Sequence, residues 1–297
     1  MDIFSRKNVV IIVGVFLVLL VTIAISKSLS KKDPPPQLSV QAPLETQPLP
    51  YKVIGKSVEG REIRAYTHGS GDVRLLLVGG VHGGYEWNGV SLAYEFIDYF
   101  QRNPIAIPKN LTVTIIPSTN PDGLFRVIKK EGRFSLRDVP TDTKLLESGR
   151  FNTNGVDLNR NFACNWAPKS TWKSRVVSGG TKPFSEPEAL ALRDFVYEYK
   201  PSAAVFWHSK AGAVYASKCN GSVIPETITM MNLYAKAAGY RAFKTFDQYV
   251  VTGDTDSWLA SLGIPSITVE LETREKVEWE RNLSGVTALL KHYGDGE

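Results

Sequence analysis

Two histidines and two glutamates stand where this chain could bring them together to hold a metal and move a proton. His82 follows the apolar run 73–81 (VRLLLVGGV), and Glu86 lies at the start of a helix predicted over 87–101. His208 closes a second apolar run, 202–208 (SAAVFWH). Imidazole nitrogens and a carboxylate oxygen suit Zn²⁺, and a catalytic zinc takes three protein ligands while keeping one position open for water. Strand ends along one edge of an open α/β sheet are where ligands gather, which is where both histidines are expected. Taken singly, each histidine also reads as a hydrogen-bonded core residue.

Glu270 ends the run 264–270 (IPSITVE). A carboxylate there is costly unless it is paired or working. A salt bridge would satisfy it, but a hydrolytic zinc site also needs a base that takes a proton from water and returns it to the leaving amine, and a glutamate of modestly raised pKa serves. The loop 150–162 (RFNTNGVDLNRNF) is dense in Arg and Asn. It reads either as a hydrogen-bonded surface loop or as a carboxylate-recognition element, since a guanidinium contacts a carboxylate through two donors and an Asn amide adds another.

The elements that must position these groups form an α/β pattern. Apolar strand-like runs at 73–81, 111–117, 202–208 and 264–270 alternate with helix-like stretches at 87–101, 187–199, 225–238 and 274–293. That alternation predicts a single domain with a central mixed, largely parallel sheet flanked by helices. Ser185-Glu186-Pro187-Glu188 reads as a capping box that opens the second of these helices. Residues 120–181 are too long for an ordinary connection, and long loops of that kind are often functional.

Ahead of this domain, residues 9–25 (VVIIVGVFLVLLVTIAI) are uncharged and flanked by Arg6, Lys7, Lys27, Lys31 and Lys32. At ~1.5 Å per residue they fall slightly short of a ~30 Å hydrocarbon core, a gap that flanking Lys and Ser close by snorkelling. The reading is a transmembrane anchor with its flanks over 1–32, a Pro-rich spacer over 33–50 and a catalytic domain over 51–297. A cleaved signal peptide is the alternative, and either places the domain outside the cytoplasm. Formal net charge is +5, without a Lys/Arg block interleaved with aromatics outside the tail, so nucleic-acid binding is not indicated. Cys164 and Cys219 are the 2 cysteines, and an oxidising compartment favours a disulfide between them.

At this point the chain resembles the M14 zinc carboxypeptidases, in particular the bacterial branch of γ-D-glutamyl-diaminopimelate peptidases and murein-peptide amidases. The resemblance runs over residues 51–293. It rests on GKSVEGR at 55–61, NPDG at 120–123, GVDLNRNF at 155–162, FSEPE at 184–188, His208-Ser209 and TVEL at 268–271. It implies one zinc per chain on His82, Glu86 and His208, with Glu270 as general base and acid. Arg150 would polarise the scissile carbonyl and stabilise its oxyanion, commonly the largest single catalytic effect. Asn159 and Arg160 would hold the substrate's terminal carboxylate, and Tyr249 would cap the substrate. The family spaces its first two ligands His-x-x-Glu whereas this chain has His-x-x-x-Glu, and the glycines at 83 and 84 permit the turn to absorb the difference.

The implied activity is release of a C-terminal residue from peptides, including cell-wall peptides, at a membrane. Asp254 and Asp256 lie where related enzymes shape the side-chain pocket. An acidic floor there would favour a basic terminal residue, while an Asp that caps the following helix is the other reading. Two rival functions stay open: a related zinc deacylase acting on N-acyl amino acids, and an inactive homologue that grips peptide C-termini.

Overall fold

The computed structural model describes residues 50–247 and 249–294. The hydrophobic run at 9–25 and nearly all of the Pro-rich spacer lie outside the described residues. Among the described residues no helix is long and apolar enough to cross a membrane.

The strands are β1 (Lys52–Lys56), β2 (Glu62–Gly69), β3 (Val73–Val78), β4 (Leu111–Ile116), β5 (Lys169–Trp172), β6 (Arg175–Ser178), β7 (Ala203–Ser209), β8 (Ala213–Ala216), β9 (Arg241–Phe243) and β10 (Ser266–Leu271). The helices are α1 (Trp87–Arg102), α2 (Pro121–Ile128), α3 (Thr143–Ser148), α4 (Pro187–Tyr199), α5 (Pro225–Ala238), α6 (Thr255–Ser261) and α7 (Trp279–Gly294). One 8-stranded sheet runs in the order β1-β2-β4-β3-β7-β10-β8-β9, and β5 and β6 form a separate hairpin. Its central strands β4, β3, β7 and β10 are mutually parallel, and β9 runs parallel to β8. The β1–β2, β2–β4 and β10–β8 pairs are antiparallel, so the expected mixed sheet is present with its parallel part at the centre.

Successive side chains of a strand point to opposite faces. Along β3, Leu75 and Leu77 join one core and Leu76 and Val78 the other; along β7, Ala203, Val205 and Trp207 divide from Ala204 and Phe206 in the same way. Burial on both faces explains why these strands read as unbroken apolar runs rather than alternating ones. The first core is closed by α1, α5 and α7, through residues such as Phe96, Phe100, Met230, Tyr234 and Leu289. The second is closed by α4 and α6, through Leu192, Phe195, Trp258 and Leu259. On α1, Leu92, Phe96 and Phe100 recur at the i, i+4 interval that lines one helix face, and Phe96 stacks on Trp207 of β7 at 5.1 Å between ring centroids.

The parity that builds the two cores also builds the site. Ile267, Val269 and Leu271 of β10 belong to the first core, so Thr268 and Glu270 point to the opposite face. His208, in step with Ala204 and Phe206, points to that same face of β7, and Glu270 is its register partner across the parallel pair.

The four main helices fall where expected, with α7 starting at Trp279 rather than at 274. Two corrections concern local structure. Residues 120–181 are not one long loop but hold α2, α3 and the β5–β6 hairpin. The start of α2 carried a sequence signal: Asn120 accepts a hydrogen bond from Gly123 N at 2.8 Å, and Pro121 occupies the first turn. The expected capping box at 185–188 does not form. Glu186 is the N-cap and its side chain makes no capping bond. Ser185 instead donates to Glu186 Oε1 at 2.8 Å, while buried Glu188 accepts from Val58 N at 3.1 Å and from Asn152 at 3.2 Å. Tertiary partners outbid the local cap because these carboxylates are buried and must be satisfied.

Candidate active site

His82 does not end β3 as the apolar run implied. The strand stops at Val78, and Gly79-Gly80-Val81 carry the chain to His82, which caps a short 3₁₀ turn over Gly83–Glu86. Gly83 has φ +46°, and a Cβ there would meet Gly149 O at 2.7 Å and Asn120 O at 2.9 Å. A Cβ on Gly84 would lie 2.5 Å from the Val127 side chain. The turn is thus pressed against α2 and the chain entering Arg150, with room only for glycine. It ends at Glu86, the N-cap of α1, so the four-residue interval folds into one turn that aims both side chains inward.

His208 completes the set from the end of β7. Donor atoms of His82, Glu86 and His208 all lie within 4.8 Å of one another, and each of the three residues is buried. The two imidazoles are 4.9 Å apart between centroids, and His208 Nδ1 lies 2.9 Å from Glu86 Oε2. Two buried ring nitrogens, His82 Nδ1 and His208 Nε2, have no hydrogen-bond partner. Buried polar atoms are otherwise almost always satisfied, so orphaned nitrogens beside a carboxylate fit a cation. Two imidazoles and one carboxylate are a zinc donor set. Burial, reinforced by the charge of Arg150, holds the His82 pKa well below its ordinary value, which keeps a ring nitrogen free. Burial also opposes charge on His208, but the hydrogen bond and charge of Glu86 outweigh it and raise that pKa.

Glu270 stands beside His208 with its carboxylate partly open to the cleft. Burial first, then the negative charge of Glu86, push its pKa up to about 7, against the pull of His208, Arg274 and Arg150. A carboxylate poised there exchanges protons readily near neutral pH.

Arg150 is buried and donates from Nε to Asp157 Oδ2 at 2.9 Å, with Nη2 2.8 Å from the same oxygen. Its Nη1 lies 3.9 Å from Glu86 Oε1, and its guanidinium sits 4.6 Å over the Trp172 ring. The other oxygen of Asp157 faces His82 Nδ1 at 3.5 Å and accepts from Asn159 N at 3.2 Å. Asn159 accepts from the Thr255 backbone and hydroxyl at 3.0 and 3.1 Å, which commits its oxygen to α6 and leaves its amide NH₂ to the cleft it lines. Arg160 is anchored by Asn159 O at 2.6 Å and Thr171 O at 3.1 Å, while its Nε is buried without a partner. Tyr249, partly buried against Phe246, lines the same cleft, and burial raises its pKa.

These groups share one cleft of about 760 Å³. Asp254 both lines it and caps α6, accepting from Ser257 N at 3.0 Å. Asp256 is the buried one: Oδ2 accepts from Thr268 at 2.5 Å, and Oδ1 has no partner. Burial pushes its pKa up to about 7. Cys164 and Cys219 are joined in a disulfide across 55 residues, tying the chain after Arg160 to the chain after β8 at the cleft wall. Every site residue expected from the sequence therefore borders this cleft. Asp157, Tyr85, Trp172 and Arg274 were missed. Asp157 lies inside the quoted GVDLNRNF run, whereas nothing in the residue pattern points to Arg274.

A His–Glu–His cluster beside Glu270 and two buried arginines, at the carboxyl ends of parallel strands in a mixed α/β sheet, is the architecture of a metal-dependent hydrolase. The chain belongs to the zinc carboxypeptidase family, peptidase family M14, whose profile matches residues 47–284. It is 25% identical over 238 residues to a gamma-D-glutamyl-L-diamino acid endopeptidase of Lysinibacillus sphaericus, covering 73% of this chain and 59% of that protein. It is 33% identical over 131 residues to murein peptide amidase A of Escherichia coli K12, covering 41% of this chain and 50% of the relative. The crystal structure of murein-tripeptide amidase from Escherichia coli O157 shares the fold, with a TM-score of 0.60 at 24% identity over 83% of this chain and 94% of that one. The chain spans between half and two thirds of the length of these curated relatives.

Proposed function

We propose that this protein is a zinc carboxypeptidase that releases the C-terminal residue of peptides. The observation that carries the reading is the convergence of His82, Glu86 and His208 beside Glu270. Zinc held by the three ligands would polarise the scissile carbonyl and acidify a water molecule. Glu270 takes a proton from the attacking water and delivers it to the leaving amine. Arg150, fixed by Asp157, donates to the oxygen on which negative charge develops. Arg160 and the Asn159 amide receive the terminal carboxylate, which confines cleavage to the last residue. Tyr249 closes over the bound residue.

Asp256 gives the terminal residue its chemistry. Its unpartnered oxygen, buried on the α6 side of the cleft, supports a substrate with a side-chain ammonium, such as lysine or a diamino acid. The relative whose name includes a diamino acid is consistent with this. Cell-wall peptides are therefore the substrate class we favour. Residues 9–25 would anchor the domain 51–297 outside a membrane through the spacer 33–50, and a disulfide accords with an oxidising compartment.

One preparation tests the reading: bound zinc by elemental analysis, alongside mass spectrometry of products from a mixed peptide library and from N-acyl amino acids. About one zinc per chain with single-residue release that stops on chelation supports it. Cleavage of N-acyl amino acids alone would assign a deacylase instead, and zinc without turnover a binder. Fractionation of the full chain and of one lacking residues 1–32 tests the anchor, which fails if both are equally soluble.

A further inference from the structure

The β5–β6 hairpin stands apart from the main sheet, yet it brings one large aromatic side chain to the cleft. Alternation along β5 sends Ser170 and Trp172 to the same buried side. Trp172 joins Tyr85, Val177 and Phe151 in a small apolar cluster separate from the two main cores. Unlike those cores, this cluster borders a buried charge. The Arg150 guanidinium lies 4.6 Å over the Trp172 ring and 5.8 Å over that of Tyr85.

Trp172 is itself fixed from several sides. Its ring meets Tyr85 edge-on at 5.2 Å between centroids, and the Arg274 guanidinium lies 4.1 Å over the Tyr85 ring. Thr171 O accepts from Arg160 Nη2 at 3.1 Å, and Ser170 accepts from Thr252 at 2.9 Å. Across the hairpin Arg175 pairs with Trp172 and donates to Glu147 at 2.9 Å, while Arg150 N donates to Glu147 O at 3.2 Å. That ion pair is exposed and holds little by itself, so the buried ring contact is the main tie between the hairpin and Arg150.

The tie matters because of how Arg150 is held at its other side. Nε and Nη2 both engage Asp157 Oδ2, a single atom about which the guanidinium can swing. Nη1 lies 3.9 Å from Glu86 Oε1, too far for a hydrogen bond but close enough to be attracted. A guanidinium free to swing would close that gap and commit Nη1 to a proposed metal ligand. An indole ring restrains the group without consuming a donor, since a guanidinium is weakly hydrated and stacks readily on aromatic rings.

We propose that Trp172 is the positioning residue for Arg150, holding its Nη1 off Glu86 and toward the scissile carbonyl oxygen. This rests on the carboxypeptidase reading above. Charge develops on that oxygen only as the bond is attacked, so the contribution of Trp172 belongs to kcat rather than to KM.

The test uses the zinc-loaded full chain and a peptide ending in lysine. Trp172→Leu should lower kcat by roughly 10- to 100-fold with KM nearly unchanged, less than the roughly 10²- to 10³-fold loss of a whole oxyanion donor expected for Arg150→Met. Trp172→Phe, which keeps an aromatic ring, should recover most of the loss. In the Arg150→Met protein, Trp172→Leu should cost little more, because the ring acts through the guanidinium. NMR of isotope-labelled arginine reads the contact without turnover. The Arg150 Nε–H signal, identified by its loss in Arg150→Met, should be displaced by the indole ring current and return toward its ordinary position in Trp172→Leu. That displacement in a parent that cleaves no peptide would keep Trp172 as the residue that places Arg150 and remove the carboxypeptidase reading instead. Parental kcat in Trp172→Leu, a loss that falls on KM, a loss of full size in the Arg150→Met background, or an undisplaced Arg150 signal overturns the inference.

Discussion

Asp157 accepts from Arg150 with one oxygen and faces His82 with the other: Arg150 Nε donates to Oδ2 at 2.9 Å, and His82 Nδ1 lies 3.5 Å from Oδ1 without a hydrogen bond. A single buried carboxylate thereby holds the proposed oxyanion donor and lies against one of the proposed metal ligands. Partners behind a metal's ligands typically carry a 10- to 100-fold effect on affinity or activity. Asp157→Asn should lower kcat by that order and weaken zinc retention against a competing chelator. Loss of only one of the two would show that the carboxylate serves only one side.

Glu270 and the proposed zinc ligands should separate cleanly by mutation. Glu270→Gln should retain zinc and peptide affinity while kcat falls by roughly 10²- to 10⁴-fold, the usual contribution of a general base. His208→Ala should lose the zinc itself. A Glu270→Gln protein with parental turnover would mean that the proton goes elsewhere.

Asp256 should make the choice of terminal residue depend on pH. With its pKa pushed up to about 7, the carboxyl is neutral in acid and charged in mild alkali. The ratio of kcat/KM for C-terminal lysine over leucine should therefore climb as pH rises through about 7, and Asp256→Asn should flatten it. A ratio insensitive to both would remove Asp256 from substrate choice.

The same residue should cost stability. Its folded pKa lies above the ordinary 3.8, so between those values the folded protein holds more protons than the unfolded chain. Stability then declines as pH rises from about 4 to 7 and stays reduced above. Asp256→Asn should melt higher than the parent at pH 8 in the absence of substrate, with the gain shrinking toward pH 4. Equal melting curves at pH 8 would mean that the charge is compensated.

The disulfide closes a loop of 55 residues. Loop-closure entropy for that length corresponds to about 4 kcal/mol. In a domain of this size such a loss lowers Tm by on the order of 10 °C. Cys219→Ser, melted by calorimetry beside the parent, checks this, and an unchanged Tm would place the wall's stability elsewhere.

How much of this was legible beforehand depended on where each signal resided. His208 and Glu270 could be read because apolar runs led directly into them. The GVDLNRNF run pointed to Asn159 and Arg160 through its resemblance to the zinc carboxypeptidases, yet not to the role of Asp157, because a carboxylate that acts through its neighbours has no local pattern. Arg274 was invisible for a similar reason, since its stacking partner Tyr85 is remote in sequence. The capping box at 185–188 misled because residues suited to a local cap were recruited by Asn152, Asn161 and Val58 from elsewhere.

The glycine turn between His82 and Glu86 has a bearing on how such sites diverge. Since Gly83 and Gly84 are wedged against Gly149, Asn120 and Val127, interval along the chain and separation in space are uncoupled there. A gained residue between two ligands need not end the chemistry if the turn can shed side chains to take it in. Lineages carrying such insertions escape any search for ligands at fixed intervals, while a search for three converging donor atoms retrieves them.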